Sequence, residues 1–134
     1  MEIPQQTVIE IDVSADGFSY FRVVPIQVSL TDFSPPSPRL LSSSTTYAQT
    51  ARILVLPANW NTGWHCSPIL QLMVLLSGHV KIEVSNGETR KFGPGDLLLL
   101  RDTTGQGHRS AVVGDDAVAM LTVELPAAHP ITIS

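Results

Sequence analysis

Two of the chain's four histidines, His65 and His108, stand where strand and turn signals are densest. His65 comes just ahead of the apolar run Ile69 to Leu76, and His108 directly follows Gly105-Gln106-Gly107. An imidazole gives and takes protons near neutral pH and is a common metal ligand, so a pair facing one pocket could act as general acid and base or hold a divalent ion. If the backbone from His65 to Gln71 runs extended, two-residue alternation puts His65, Ser67, Ile69, Gln71 and Met73 on one face. Gln71 interrupts Ile-Leu-Gln-Leu-Met-Val-Leu-Leu, and a primary amide is costly to bury unless its atoms find partners. It either meets a ligand, metal or water, or braces neighbouring backbone; the first reading is preferred.

Such a wall needs strands to carry it. From Ala48 onward short apolar or alternating runs are separated by Gly, Pro, Asn and Asp, as in consecutive β-strands joined by turns. The runs are Gln49 to Leu56, Ile69 to Leu76, Val80 to Ser85, Glu88 to Phe92, Asp96 to Arg101, Arg109 to Val113 and Ala117 to Leu125. Asn86-Gly87 reads as a two-residue type I′ hairpin, because both residues tolerate positive φ, and Gly114-Asp115-Asp116 as a second turn of that kind. Gly93-Pro94-Gly95-Asp96 is a turn whose proline forbids ladder pairing. No stretch keeps a helical period, so the fold class is all-β, a sandwich or barrel.

With 134 residues the chain has room for one domain. Residues 1–47 would supply N-terminal strands, Val8 to Val13 and Phe18 to Leu30, the second interrupted by Pro25 as an edge strand tolerates. Ser34-Pro35-Pro36-Ser37-Pro38 and Ser42 to Thr46 would form a connector, 48–126 the barrel, and 127–134 a C-terminal tail.

Within that frame, Gly63 to Gly78 resembles the first sequence motif of the cupins, in which His-x-His is followed by Glu and then Gly; the corresponding residues are His65, Ser67, Gln71 and Gly78. Phe92-Gly93-Pro94-Gly95-Asp96, the strand after it and His108 resemble the second motif, with a longer segment, Arg101 to Gly107, ahead of the histidine. The resemblance runs from Arg52 to Leu125. The segment Asp-Thr-Thr-Gly-x-Gly-His is similar to that of a group of small cupins with Gln at the glutamate position. The resemblance implies a cupin double-stranded β-helix, a jelly-roll barrel in a single domain, and the common cupin habit of forming a homodimer.

Standard cupins hold iron, manganese, nickel or zinc with three His and one Glu. Here at most His65, Gln71 and His108 remain, and a neutral amide is a weak donor, so the expected cofactor is none or a weakly held divalent metal (Zn, Fe, Ni or Mn). His65, Gln71 and His108 are then the catalytic candidates. Trp64, Ser67, Arg52, Met73, Asp102 and Thr104 are the substrate-binding ones, with Trp60, Thr103, Tyr47 and Arg109 as further possibilities. His79 and His129, outside the motif frame, are expected on the surface. The expected function is non-oxidative enzymology, of isomerase, cyclase or lyase type, on a largely apolar metabolite, as in secondary metabolism. The alternatives are a metal-dependent dioxygenase and a non-catalytic ligand-binding barrel.

Composition narrows the partners. The chain is 43% hydrophobic and 15% charged, which fits a folded domain rather than a disordered one. Its net charge of −4, with no basic run, lacks the electrostatic footprint that nucleic-acid binding needs. No run approaches the roughly 20 apolar residues of a membrane span. Cys66 is the single cysteine, so no intrachain disulfide can form. A small-molecule substrate, a cytoplasmic setting and a homodimer are the expectations.

Overall fold

The computed structural model describes residues 6–126, and within them every regular element is a β-strand. In chain order these are β1 (Thr7–Val13), β2 (Ser19–Pro25), β3 (Ser29–Thr31), β4 (Leu40–Ser42), β5 (Thr50–Leu56), β6 (Gln71–Ser77), β7 (His79–Val84), β8 (Thr89–Phe92), β9 (Leu97–Leu100), β10 (His108–Val113) and β11 (Val118–Glu124). Among the described residues no helix is long and apolar enough to cross a membrane.

A six-stranded sheet, β2-β1-β9-β6-β11-β5, packs against a three-stranded sheet, β10-β7-β8. The first contributes Ile11, Leu75, Leu98, Leu100, Val118 and Met120 to the core, and the second Val80, Ile82, Val84 and Phe92. β9 is the uninterrupted Leu97–Leu100 because both of its faces are covered: Leu98 and Leu100 enter this core, while Leu99 is buried with Val8, Leu70 and Leu125 on the other side. It pairs parallel with β1 and antiparallel with β6. The N-terminal strands are thus built into the main sheet. The carboxyl group of Glu10, fully buried on β1, ties that edge together through Arg22 at 2.5 Å and Arg101 at 3.2 Å. The hydrogen bond and charge of Glu10 hold the Arg22 guanidinium above its ordinary pKa.

Three turns differ from the sequence expectation. At Asn86-Gly87 the Gly87 N–H reaches the Val84 carbonyl at 3.1 Å, and among described non-glycine residues only Asn59 has positive φ. Ser85 and Asn86 therefore make the corner and Gly87, at φ 100°, follows it. This is the three-residue hairpin with a left-handed glycine, not type I′. Asn86 keeps ordinary φ and instead accepts the Glu88 N–H on its side chain at 2.9 Å. Gly114-Asp115-Asp116 is not a hairpin either, because β10 and β11 lie in different sheets. The proline-rich segment, expected as a connector, turns the separate two-stranded sheet β3-β4.

Pro25 closes β2 at the sheet edge, where its missing N–H costs no ladder bond. Gly93-Pro94-Gly95-Asp96 is a tight turn with Gly95 at φ 89°, and Asp96 accepts the Gly93 N–H at 2.8 Å. His79 is exposed; residues 127–134, including His129, lie outside the described residues.

Candidate functional site

Between the two sheets is a cavity of about 140 Å³. Its floor and sides are apolar, because Leu54 and Leu56 of β5, Met73 and Leu75 of β6, and Met120 of β11 alternate inward. Its polar lining is His65, Ser67, Gln71, His108 and Ser110. Among the described residues, no Asp, Glu, Lys or Arg lines it.

The two imidazoles meet because the loop ahead of β6 is hydrogen-bonded to the start of β10. His65 and His108 exchange backbone bonds, His65 N–H to the His108 carbonyl at 3.0 Å and His108 N–H to the His65 carbonyl at 2.9 Å. Their ring centroids are 4.7 Å apart. Such proximity demands a glycine at 107. A Cβ there would lie 2.1 Å from the His65 carbonyl oxygen, and φ is +76°. The Gly107 carbonyl is in turn held by the Ser19 hydroxyl at 2.6 Å.

His108 is 4% exposed, and its Nδ1 lies 2.5 Å from Oδ2 of Asp102, which is wholly buried. In the neutral ring the carboxylate places the hydrogen on Nδ1, which leaves Nε2 with a lone pair. His65 Nδ1 lies 3.0 Å from the Gly63 carbonyl, which can only accept. This ring hydrogen is therefore on Nδ1 as well. Gln71, 8% exposed, donates from Nε2 to the Ser67 hydroxyl at 2.9 Å, and that hydroxyl donates to the Ile69 carbonyl at 2.7 Å. The chain of donors fixes the amide so that Oε1 remains unused within the protein.

The structure gathers His65, Ser67, Gln71, Met73 and His108 around one space. Four substrate-binding expectations need correction. Arg52 is exposed and its guanidinium is taken by Glu124 at 2.9 Å. Trp64 is exposed outside the cavity, with the Arg109 guanidinium 5.1 Å from its ring centre. Thr104, like Thr103, is exposed on the loop before β10 and does not line the cavity. Asp102 touches His108 instead of the cavity. Ile69 also leaves the expected face, because the chain from 66 to 70 is irregular and the strand starts only at Gln71.

Leu54, Leu56 and Ser110 are lining residues beyond the expected candidates, and Trp60, one of the further possibilities, lines the cavity too. Two-residue alternation could have found Leu54 with Leu56, and Ser110 with His108. Nothing local marks Asp102 as the partner of His108.

A metal centre of the standard cupin kind does not fit these residues. Among the described residues no three His, Cys, Asp or Glu side chains cluster as a metal site. Two imidazoles and one neutral amide oxygen supply neither the carboxylate nor the third imidazole.

The architecture is similar to that of solved cupin-domain proteins. A cupin 2 conserved barrel domain protein from Salinispora arenicola CNS-205 superposes with a TM-score of 0.50 at 17% identity, over 77% of this chain and 77% of that one. An RmlC-like cupin family protein with a double-stranded β-helix fold from Methanocaldococcus jannaschii gives 0.44 at 11% identity, over 94% and 92% of the two chains. The cupin domain of Schizosaccharomyces pombe Cnp3 gives 0.47 at 15% identity, over 91% and 84%. No protein-family model matches the chain, and no curated protein does. The fold is the cupin double-stranded β-helix in a single domain.

Proposed function

We propose that this cupin-fold barrel is an enzyme that moves protons rather than electrons, an isomerase, cyclase or lyase acting on a small, largely apolar metabolite. The observation that carries the reading is the contact of Asp102 Oδ2 with His108 Nδ1, 2.5 Å, behind an apolar cavity. A buried carboxylate holding one face of an imidazole aims the other nitrogen and stabilises the imidazolium formed when it takes a proton. His108 Nε2 would remove a proton from a C–H or O–H bond of the substrate. The protonated ring would return it to another atom, completing an isomerisation or releasing a leaving group. His65 faces the same space from the opposing ring, and Gln71 Oε1 would orient a substrate hydroxyl or N–H. Ser67 positions Gln71.

The sequence's finer likeness to small cupins with Gln at the glutamate position fits this reading, since that Gln removes the charged metal ligand. A weakly held zinc, iron, nickel or manganese ion on His65, Gln71 and His108 belongs to the alternative, oxygenase reading; bound there, it would act as a Lewis acid or redox centre.

The test is proton exchange in D2O with a panel of small enolisable ketones and phenols, followed by NMR. The wild-type chain should exchange at least one probe faster than His108→Ala, by about 10²-fold or more. Equal rates in the two proteins overturn the proposal. A probe that binds but returns unlabelled and unchanged supports a binding module instead. Stoichiometric iron, lost together with activity in His65→Ala, would support the oxygenase.

A further inference from the structure

We infer that the cavity selects a neutral, ring-sized molecule that brings a hydrogen-bond donor, a hydroxyl or N–H on an apolar body, and rejects carboxylates and phosphates. The inference rests on the reading of this cavity as the substrate site and adds to it the class of molecule admitted.

The argument is an inventory of hydrogens. His65 Nδ1–H is spent on the Gly63 carbonyl, His108 Nδ1–H on Asp102, and the Ser67 hydroxyl hydrogen on the Ile69 carbonyl. One amide hydrogen of Gln71 goes to Ser67. What these residues leave over are lone pairs: Nε2 of His65, Nε2 of His108 and Oε1 of Gln71. His108 and Gln71 are each more than nine-tenths buried, and both line the cavity. The donors that remain in the lining are the Ser110 hydroxyl, the second Gln71 amide hydrogen and the Trp60 indole N–H, none of them charged.

A ligand that can only accept would leave the buried acceptors of His108 and Gln71 unpaired against an apolar lining, which costs more than a weak bond forgone, whereas His65 is exposed and can turn to water. An anion would fare worse, because among the described residues no Lys or Arg lines the cavity and a buried charge needs a partner. Size sets the other limit. An apolar cavity of about 150 Å³ holds benzene, close to the volume of about 140 Å³ of this one. One six-membered ring with a small polar substituent fills it, and a larger molecule would have to project from its open mouth.

The experiment compares binding of phenol, anisole and benzoate to the full chain at about pH 8, above the ordinary imidazole range. Anisole keeps the ring and loses the donor; benzoate adds the charge. Phenol should bind at least about tenfold more tightly than either. Gln71→Met, checked for folding by its melting temperature, should narrow the phenol-to-anisole ratio, and Thr104→Ala, exposed outside the cavity, should leave it unchanged. Anisole binding as tightly as phenol, benzoate binding more tightly, or none of the three binding would overturn the inference. Phenol bound selectively without any proton exchange would leave this selectivity standing and remove the catalytic reading. Exchange on a carboxylate probe with phenol rejected would do the reverse.

Discussion

Asp102→Asn separates an oriented catalytic imidazole from a merely packed one. Asp102 is wholly buried, with Oδ2 2.5 Å from His108 Nδ1 and Oδ1 without a hydrogen-bond partner. Asparagine has nearly the same shape, so the substitution changes charge and hydrogens but not packing. If its oxygen faces His108, the amide hydrogens occupy the place of Oδ1, where no acceptor waits. If it turns over, the amide donates to Nδ1 and drives the ring hydrogen to Nε2, the cavity side. The base is then blocked and the cavity presents a donor.

The charge-assisted bond is replaced by a neutral one of about half the strength, a loss of roughly 1 kcal/mol. Removing a buried carboxylate with one unpaired oxygen offsets part of that. Stability should therefore change by no more than about 1 to 2 kcal/mol. Catalysed proton exchange should fall by about 10²- to 10⁴-fold, because both the orientation of the base and the stabilisation of its imidazolium are lost. The preference for phenol over anisole should shrink or invert. The measurements are the D2O exchange rate, the ligand ratio and a thermal melt on one preparation. Exchange within about threefold of wild type, less than 1 kcal/mol in barrier height, would refute the role given to Asp102. So would a melt lowered enough to explain the lost activity.

Gly107→Ala should destabilise by about 1–3 kcal/mol from its left-handed backbone alone. Its methyl would also overlap the His65 carbonyl oxygen, so thermal melts and loss of ligand binding should appear together. Leu98 is fully buried and lines the cavity. Leu98→Ala should cost about 2–5 kcal/mol in denaturant unfolding and admit a bulkier phenol than the wild type accepts. The Thr50 hydroxyl, and after it the Arg52 guanidinium, hold the Glu124 carboxyl below its ordinary range. Its contribution to pairing β5 with β11 is present above the ordinary carboxylate range and lost as pH falls through the lowered value. An NMR titration should show the lowered midpoint, moving up in Thr50→Ala. The β3-β4 hairpin exposes Leu30 and Leu40, and a two-stranded hairpin is marginal by itself. Light scattering should give the mass of a homodimer, reduced toward a monomer in Leu30→Lys/Leu40→Lys.

Much of the barrel was legible because its signals are local. Short apolar or alternating runs between turn residues located most strands of both sheets, and proline with glycine located the turn at 93–96. The Asn86-Gly87 corner was legible as a turn but not in type, since the same dipeptide serves two loop lengths and the register of β7 with β8 chooses between them. Gln71 stood out from its apolar run for a physical reason that survives in the structure: a buried amide must be partnered, and Ser67 partners it.

The sequence alone therefore determined the all-β class, most strand positions and the histidines and glutamine of the candidate site, because periodicity, turn chemistry and the cost of burying a polar group act between near neighbours. Tertiary structure decided which tryptophan faces the cavity, why Arg52 is taken by Glu124, and that Asp102 stands behind His108. It also decided where each ring hydrogen lies. Those outcomes depend on loops brought together across the barrel, and no spacing along the chain encodes which acceptor a nitrogen will meet.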